Sequence, residues 1–260
     1  MGAHFTRYIG IDYSGAQTPK SSLPGLRVYT ANRECPPSEV PTQEGNHKYW
    51  SRAGLATWLI ERLAEEEPAI VGIDHGFSFP LAYFEKHGLP HDWQKFLEDF
   101  QRYWPTDENI YVDFVREGDY GDGAARSGDR RWRRITEIRT RRAKSVFFFD
   151  VQGSVAKSTH AGLPWLLHLR RQTEKRVHFW PFDGWELPSG KHVIAEVYPA
   201  LWSKSFAPED RNDHQHDAYS IALWIRQADA SGELAKFLTP RLTAEERRIA
   251  EIEGWILGVP

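Results

Sequence analysis

Two short stretches of the chain place an aspartate at the end of an apolar run. The first is YIGIDYSG, from Tyr8 to Gly15, and the second is AIVGIDHG, from Ala69 to Gly76. Both runs are typical of β-strands, so Asp12 and Asp74 each follow a strand at its carboxyl end. If the strands are parallel neighbours, the two carboxylates converge, and a cation or a shared proton must relieve their repulsion. A divalent metal ion is the simplest cation; capping of the turn after each strand is the alternative.

A third acidic group lies late in the chain, in the run DHQHDAY from Asp213 to Tyr219. This run opens a predicted helix over about 213–230, on which His214 and Asp217 are three residues apart and share a face. Either Asp213 or Asn212 can be the N-cap of this helix, and the helix dipole favours a carboxylate there, which accounts for an acid at Asp213. Capping does not account for His214 and Asp217 together, so both are candidates for chemistry.

A fourth acid, Glu196, lies inside the apolar run VIAEVYPA. Two interpretations have equal weight at this position. Glu196 is either a metal ligand or the partner of a core arginine or backbone donor, because a carboxylate is rarely buried without a partner.

The elements that must position these side chains alternate between strands and helices. Strands are predicted over 5–13, 26–30, 69–75, 177–180 and 192–198, and helices over 52–66, around 92–104, from about 164, over 213–230 and after Thr243. This order favours an α/β layer architecture, in which ligands collect at the carboxyl ends of the strands. The region from about 80 to 150 is less regular, and we interpret it as a large, mostly helical insertion in one domain spanning 1–260.

Composition is that of a folded globular chain. The 260 residues are 40% hydrophobic and 27% charged, with a net charge of −3, which argues against disorder. Cys35 is the only cysteine, so an intrachain disulfide or a cysteine-based zinc site is excluded. No run approaches the ~20 apolar residues of a membrane span, and the N-terminus lacks a signal-peptide pattern, so we expect a cytoplasmic protein without membrane contact.

The ordered set of Asp12, Asp74, Glu196 and the pair His214 and Asp217 resembles the pattern of RNase H-like nucleases. The run HQHDAY is similar to the last catalytic motif of Holliday-junction-resolvase-type nuclease domains, including those of RNA-guided endonucleases. Together with EVYPA, the layout resembles a family called domain of unknown function number 429, described as predicted nucleases of RNase H fold. The resemblance extends from Tyr8 to about Ile225 and leaves the region 80–150 unexplained.

The resemblance implies an RNase H-like mixed sheet flanked by helices and hydrolysis of phosphodiester bonds by two Mg²⁺ or Mn²⁺ ions. Asp12 would bridge the two ions, and Asp74 and Asp217 would each hold one, since carboxylates suit such hard cations. Glu196 would be a supporting ligand. His214 would orient or deprotonate the attacking water, a role that its near-neutral pKa permits.

The resemblance also implies a nucleic-acid partner, DNA or RNA. The segment from Arg126 to Lys144 is rich in arginine, with only Asp129 and Glu137 as acids, and such a segment can neutralise backbone phosphates. The candidate substrate-binding residues are Arg133, Arg134, Arg141, Arg142 and Lys157. The alternative for this segment is an ordinary solvated helix face, with Trp132, Ile135 and Ile138 packed inward.

Two other classes of protein remain open. The stretches DYSGA and IDHG can be interpreted as the phosphate loops of an ATP-binding phosphotransferase of the sugar-kinase, Hsp70 and actin group. Such loops generally use paired glycines, and none of the 20 glycines here is followed by another. A catalytically inactive binding module with an RNase H fold is the third possibility, because fold alone does not establish activity.

Overall fold

The computed structural model describes residues 4–140, 142–151 and 153–260. Its described strands form one mixed sheet in the order β3-β2-β1-β4-β6-β5. The strands are β1 Arg7–Asp12, β2 Arg27–Asn32, β3 Ser38–Glu39, β4 Ala69–Asp74, β5 Val177–Trp180 and β6 His192–Glu196. β1, β4, β6 and β5 are mutually parallel, while β2 pairs antiparallel with β1 and β3 pairs antiparallel with β2.

Helices lie on both sides of this sheet, so the predicted α/β class is confirmed. They are α1 Arg52–Arg62, α2 Leu81–His87, α3 Trp93–Tyr103, α4 Val112–Glu117, α5 Ile135–Thr140, α6 Ala156–Thr173, α7 Asp213–Ala230, α8 Leu234–Leu238 and α9 Ala244–Glu253. The region 80–150 carries α2 to α5 between irregular stretches, so it is helical in part rather than mostly helical as predicted. Within the described part of the chain, no helix is both long enough and apolar enough to cross a bilayer.

The start of α6 corrects one prediction. The sequence predicts a helix that begins near Pro164, but α6 begins at Ala156 and Pro164 lies inside it. Because proline has no backbone N–H, the carbonyl of His160 loses its helical donor. Thr106 Oγ1 donates to that carbonyl at 2.6 Å. The prediction was wrong because this compensating hydroxyl comes from a distant part of the chain.

The two Gly-Ile-Asp stretches are neighbours in register. β1 and β4 pair in parallel, with Gly10 opposite Gly72 and Asp12 opposite Asp74. Side chains two residues apart on a strand point to the same face of a sheet. The two glycines and the two aspartates therefore all lie on one face, and the aspartates are at its carboxyl edge.

Helix α7 covers that face and runs antiparallel to β1. A Cβ at Gly10 would lie 2.2 Å from the carbonyl oxygen of Ala218, and one at Gly72 would lie 2.7 Å from Ile221 Cγ2. At the far end of the helix, the Asp229 carboxylate accepts hydrogen bonds from the backbone N–H of Phe5 and from Tyr8 Oη. The repeated glycine therefore allows close approach of α7, whose first turn is thereby held at the carboxyl ends of β1 and β4.

Gly10→Ala is expected to lower the free energy of unfolding by about 1–3 kcal/mol, because the new methyl group overlaps the α7 backbone. The measurement is urea unfolding followed by circular dichroism. Gly45→Ala is the matched control, since a Cβ there has no neighbour within 4 Å, and it is expected to change stability by less than about 0.5 kcal/mol. Equal stability of the two variants would contradict the close packing of α7 on β1.

Candidate active site

Asp12 and Asp74 lie side by side at the carboxyl ends of two parallel strands. Asp74 Oδ1 is buried and has no hydrogen-bond partner among the described residues. The turn after β4 does not use this carboxylate: the backbone N–H of Gly76 donates to Thr159 Oγ1 at 2.9 Å, and that of Phe77 donates to Glu196 Oε2 at 3.0 Å. Turn capping therefore does not explain why an aspartate occupies position 74.

The three aspartates of the site influence one another electrostatically. Burial, followed by the charges of Asp12, Asp217 and Glu196, raises the pKa of Asp74 well above its ordinary value. Burial and the charge of Asp12 raise the pKa of Asp217 to about 6. Burial also raises the pKa of Asp12, against the opposing effect of its hydrogen bond to His214. Such a cluster binds protons or cations more readily than isolated aspartates do.

His214 connects the first turn of α7 to β1. Its Nδ1 lies 2.7 Å from Asp12 Oδ2, and this hydrogen bond raises the pKa of the imidazole. When Nδ1–H donates to Asp12, the neutral ring carries its lone pair on Nε2. More than half of the side chain is exposed, so Nε2 can exchange a proton with a molecule in the site.

The cap of α7 is Asn212, which leaves the acids of the first turn free. The Asn212 side chain accepts from the backbone N–H of Gln215, and the Gln215 side chain accepts from the backbone N–H of Asn212. This reciprocal capping box fixes the start of the helix. His214 and Asp217 are therefore presented from the first two turns of a helix whose start is fixed.

The raised pKa of Asp217 predicts a pH-dependent stability. Its pKa is 3.8 ordinarily and about 6 in the fold, so the folded protein holds this proton more tightly than the unfolded chain does. The stabilisation is complete below about pH 4 and is lost as the pH rises through 6. In buffer with EDTA, Asp217→Asn should raise the Tm above that of the wild type at pH 8 and much less at pH 4.5.

Asp213→Asn is the control for this prediction, because Asp213 is an exposed acid one helical turn before Asp217. Its Tm should stay close to the wild-type value at both pH values. Differential scanning fluorimetry measures all three proteins. A Tm for Asp217→Asn that falls below the wild-type value at pH 8 would contradict the account.

Both carboxylate oxygens of Glu196 accept hydrogen bonds. Its two oxygens accept from Nη1 and Nη2 of Arg134, each at 2.6 Å. The Nε of Arg134 donates to Glu137 at 2.8 Å. Of the two sequence interpretations of Glu196, the structure shows the partner of a core arginine, and it does not present this carboxylate as an open metal ligand.

The prediction that Arg134 contacts a substrate was wrong. This side chain is 1% exposed and is enclosed by two carboxylates, so it cannot meet a phosphate backbone. The sequence placed it in a basic segment, but its partner Glu196 is 62 positions away. Charge density along the chain does not distinguish a surface arginine from one that is paired in the core.

The other predicted substrate-binding residues that the structure describes differ in their surroundings. Arg133 is half-buried and donates to the backbone carbonyls of Glu137 and Ala143. Arg142 is exposed, and Lys157 pairs with Asp113 at 2.7 Å. Arg141 lies outside the described residues.

The alternative for the basic segment was a solvated helix face whose apolar side chains pack inward. The structure shows such packing only in part. Its helix α5 spans six residues, and Ile138 is 57% exposed rather than packed inward. Trp132 is partly buried and packs against the larger hydrophobic core. The segment is therefore a short helix between irregular stretches, and not one continuous helical face.

Two residues of the site were not selected from the sequence. Lys144 and Tyr198 line a narrow pocket together with Asp74. Burial, followed by the charge of Asp74, raises the pKa of Tyr198. Tyr198 lies within the motif EVYPA and Lys144 ends the basic segment, so the motif and the segment were the signals that could have identified them.

The fold and the site define an α/β protein with three aspartates and one histidine at the carboxyl ends of its parallel strands. Within residues 4–140, 142–151 and 153–260, no group of three or more histidine, cysteine, aspartate or glutamate side chains is arranged to hold a metal ion. Comparison of the chain with protein-family models, with curated proteins and with solved structures finds no match.

Proposed function

We propose that the chain is a metal-dependent phosphodiester hydrolase of RNase H-like fold that acts on nucleic acid. The observation that carries the proposal is the in-register pair of Asp12 and Asp74, in which a buried oxygen of Asp74 lacks a partner. A third carboxylate, Asp217, is close enough to raise the pKa of Asp74. The resemblance of these motifs to RNase H-like nucleases supports the same activity.

The donor set fits a hard divalent cation. Asp12, Asp74 and Asp217 would hold it, because carboxylate oxygens are the ligands that Mg²⁺ and Mn²⁺ prefer. Two such ions, when bound, supply charge that activates water and stabilises the leaving oxygen. Since the described side chains form no ready ligand group, the proposal requires them to close around a cation when it binds.

Side chains of the protein release and accept protons at this site. Aspartates must be ionised to act as ligands, and the pKa values of Asp74 and Asp217 are raised, so cation binding should release protons from the cluster. His214 would accept a proton from the attacking water at Nε2, while Asp12 stabilises the resulting imidazolium through Nδ1. The raised pKa of His214 makes it a stronger base for this step.

A cleavage screen tests the proposal. The substrates are single-stranded and double-stranded DNA and RNA and a branched DNA junction, each with Mg²⁺, Mn²⁺ or EDTA. The proposal predicts cleavage of at least one substrate with Mn²⁺ and none with EDTA.

A parallel ATP-consumption assay separates the other two classes of protein. ATP consumption without cleavage would indicate a phosphotransferase. Nucleic-acid binding with neither reaction would indicate an inactive binding module. Cleavage that is unaffected by EDTA would contradict the metal requirement.

A further inference from the structure

A second cavity, of about 710 Å³, lies in the region 80–150 and against α6. We call it the aromatic cavity. Its rings and cations are Trp104, Phe147, Phe148, Phe149, His160, Arg116 and Arg130. The volume is in the range of pockets that hold small organic ligands, and no residue of the candidate active site lines it.

The rings of this cavity form an uncharged aromatic wall. Trp104 and Phe149 are nearly parallel, with an angle of 10° between their planes. Burial lowers the pKa of His160 to about 3, so this ring is neutral at physiological pH. Phe147 is buried in the core, whereas Phe148 and Phe149 are only partly buried. The exposed parts of these two rings offer stacking surfaces.

Two guanidinium groups lie near the rings of Phe148 and Phe149. Arg130 lies 5.9 Å from the centroid of the Phe148 ring, and it is exposed. Arg116 lies 4.7 Å from the centroid of Phe149 and pairs with Asp150 in an exposed bidentate contact. An aromatic ring can stack on a base while a neighbouring guanidinium pairs with a phosphate. This combination of groups binds nucleotides.

The aromatic cavity and the candidate active site share one segment of chain. Lys144 lines the pocket that contains Asp74, and Phe147 lines the aromatic cavity. Three residues span at most about 11 Å of extended chain. On the other side, Thr159 accepts from the turn that follows Asp74, while His160 lines the cavity. The linings of the two places are therefore joined by short stretches of chain.

We propose that the aromatic cavity holds an unpaired base of the nucleic-acid substrate, stacked on Phe148 and Phe149, with a flanking phosphate on Arg130. This inference rests on the proposed function, because it names the substrate as a chain with at least one unstacked base. The inference gives the region 80–150 a role in substrate choice. Nucleic-acid strands with an accessible base should bind better than strands without one.

Fluorescence anisotropy tests the inference without requiring cleavage. The probes are a fluorescein-labelled single-stranded oligodeoxynucleotide of mixed sequence and an abasic strand of equal length, both in EDTA. Phe148→Ala should weaken binding of the first probe by about five-fold to a hundred-fold, the range of one lost stacking contact. It should leave binding of the abasic strand unchanged. Arg130→Ala should weaken binding of both probes.

Phe114→Ala and Arg102→Ala are the matched controls, because Phe114 is 46% exposed, Arg102 is exposed, and neither lines the cavity. Both should bind like the wild type. Wild-type affinity of Phe148→Ala for the base-containing strand would overturn the inference, even if the wild type cleaves nucleic acid. Failure of the wild type to bind either probe would also overturn it, whereas base-dependent binding without cleavage would leave it standing.

Discussion

Replacing Asp74 with asparagine is expected to reduce metal-dependent cleavage of nucleic acid by about 10³-fold or more, as expected when a member of a catalytic unit is removed. The Tm should stay unchanged or rise. Asp74 is repelled by neighbouring carboxylates, which raises its pKa well above the ordinary value. Without a cation the neutral form of this carboxyl is therefore favoured more than in a free aspartate. Asparagine has nearly the same shape as that neutral form but cannot ligate as an anion.

Asp213→Asn is the matched control, since Asp213 is an acid of the same site region that is exposed. It should retain cleavage within a few-fold of the wild type. Thermal melts and initial cleavage rates with Mn²⁺ measure both variants. A large fall in the Tm of Asp74→Asn would show that this carboxylate supports the fold, and retained cleavage would remove it from the proposed ligand set.

Replacing Arg134 with methionine is expected to lower the free energy of unfolding by about 3–5 kcal/mol, the usual result of removing one partner of a buried ion pair. The substitution leaves Glu196 and Glu137 buried beside each other without a cation. Burial raises the pKa of Glu137 even with Arg134 in place, so the carboxylates depend on this guanidinium. Urea unfolding measures the effect.

Arg130→Met is the control, because Arg130 is exposed and should change stability by less than about 0.5 kcal/mol. The triple variant Arg134→Met, Glu137→Gln, Glu196→Gln should recover part of the lost stability, since it removes the uncompensated charges together. A single variant as stable as the wild type would contradict the core role assigned to Arg134.

The features that depend on local periodicity were predictable from the sequence. The strands that end at Asp12 and Asp74 and the helix that begins at Asp213 were predicted to within a residue or two. Alternation and helical spacing encode these elements directly. The convergence of Asp12 and Asp74 followed from one further assumption, that parallel neighbours align their carboxyl ends, and their register confirms it.

The features that depend on distant partners were not predictable. The pairing of Arg134 with Glu196 joins positions 62 apart. The proline inside α6 frees the carbonyl of His160, which accepts from a hydroxyl 54 positions away from it. Neither partner is marked by a local pattern. The aromatic cavity likewise brings Trp104 and Phe149 together only through the tertiary fold.

The most direct test of the proposed metal centre is calorimetric titration of Mn²⁺ into the wild type and into Asp12→Asn. Both proteins are saturated with a phosphorothioate oligonucleotide that resists cleavage, so that substrate ligands are present. The proposal predicts saturable binding with release of protons by the wild type, and loss of that binding in the variant. Absence of binding by the wild type, or equal binding by both proteins, would contradict the assignment of the aspartate cluster as a metal site.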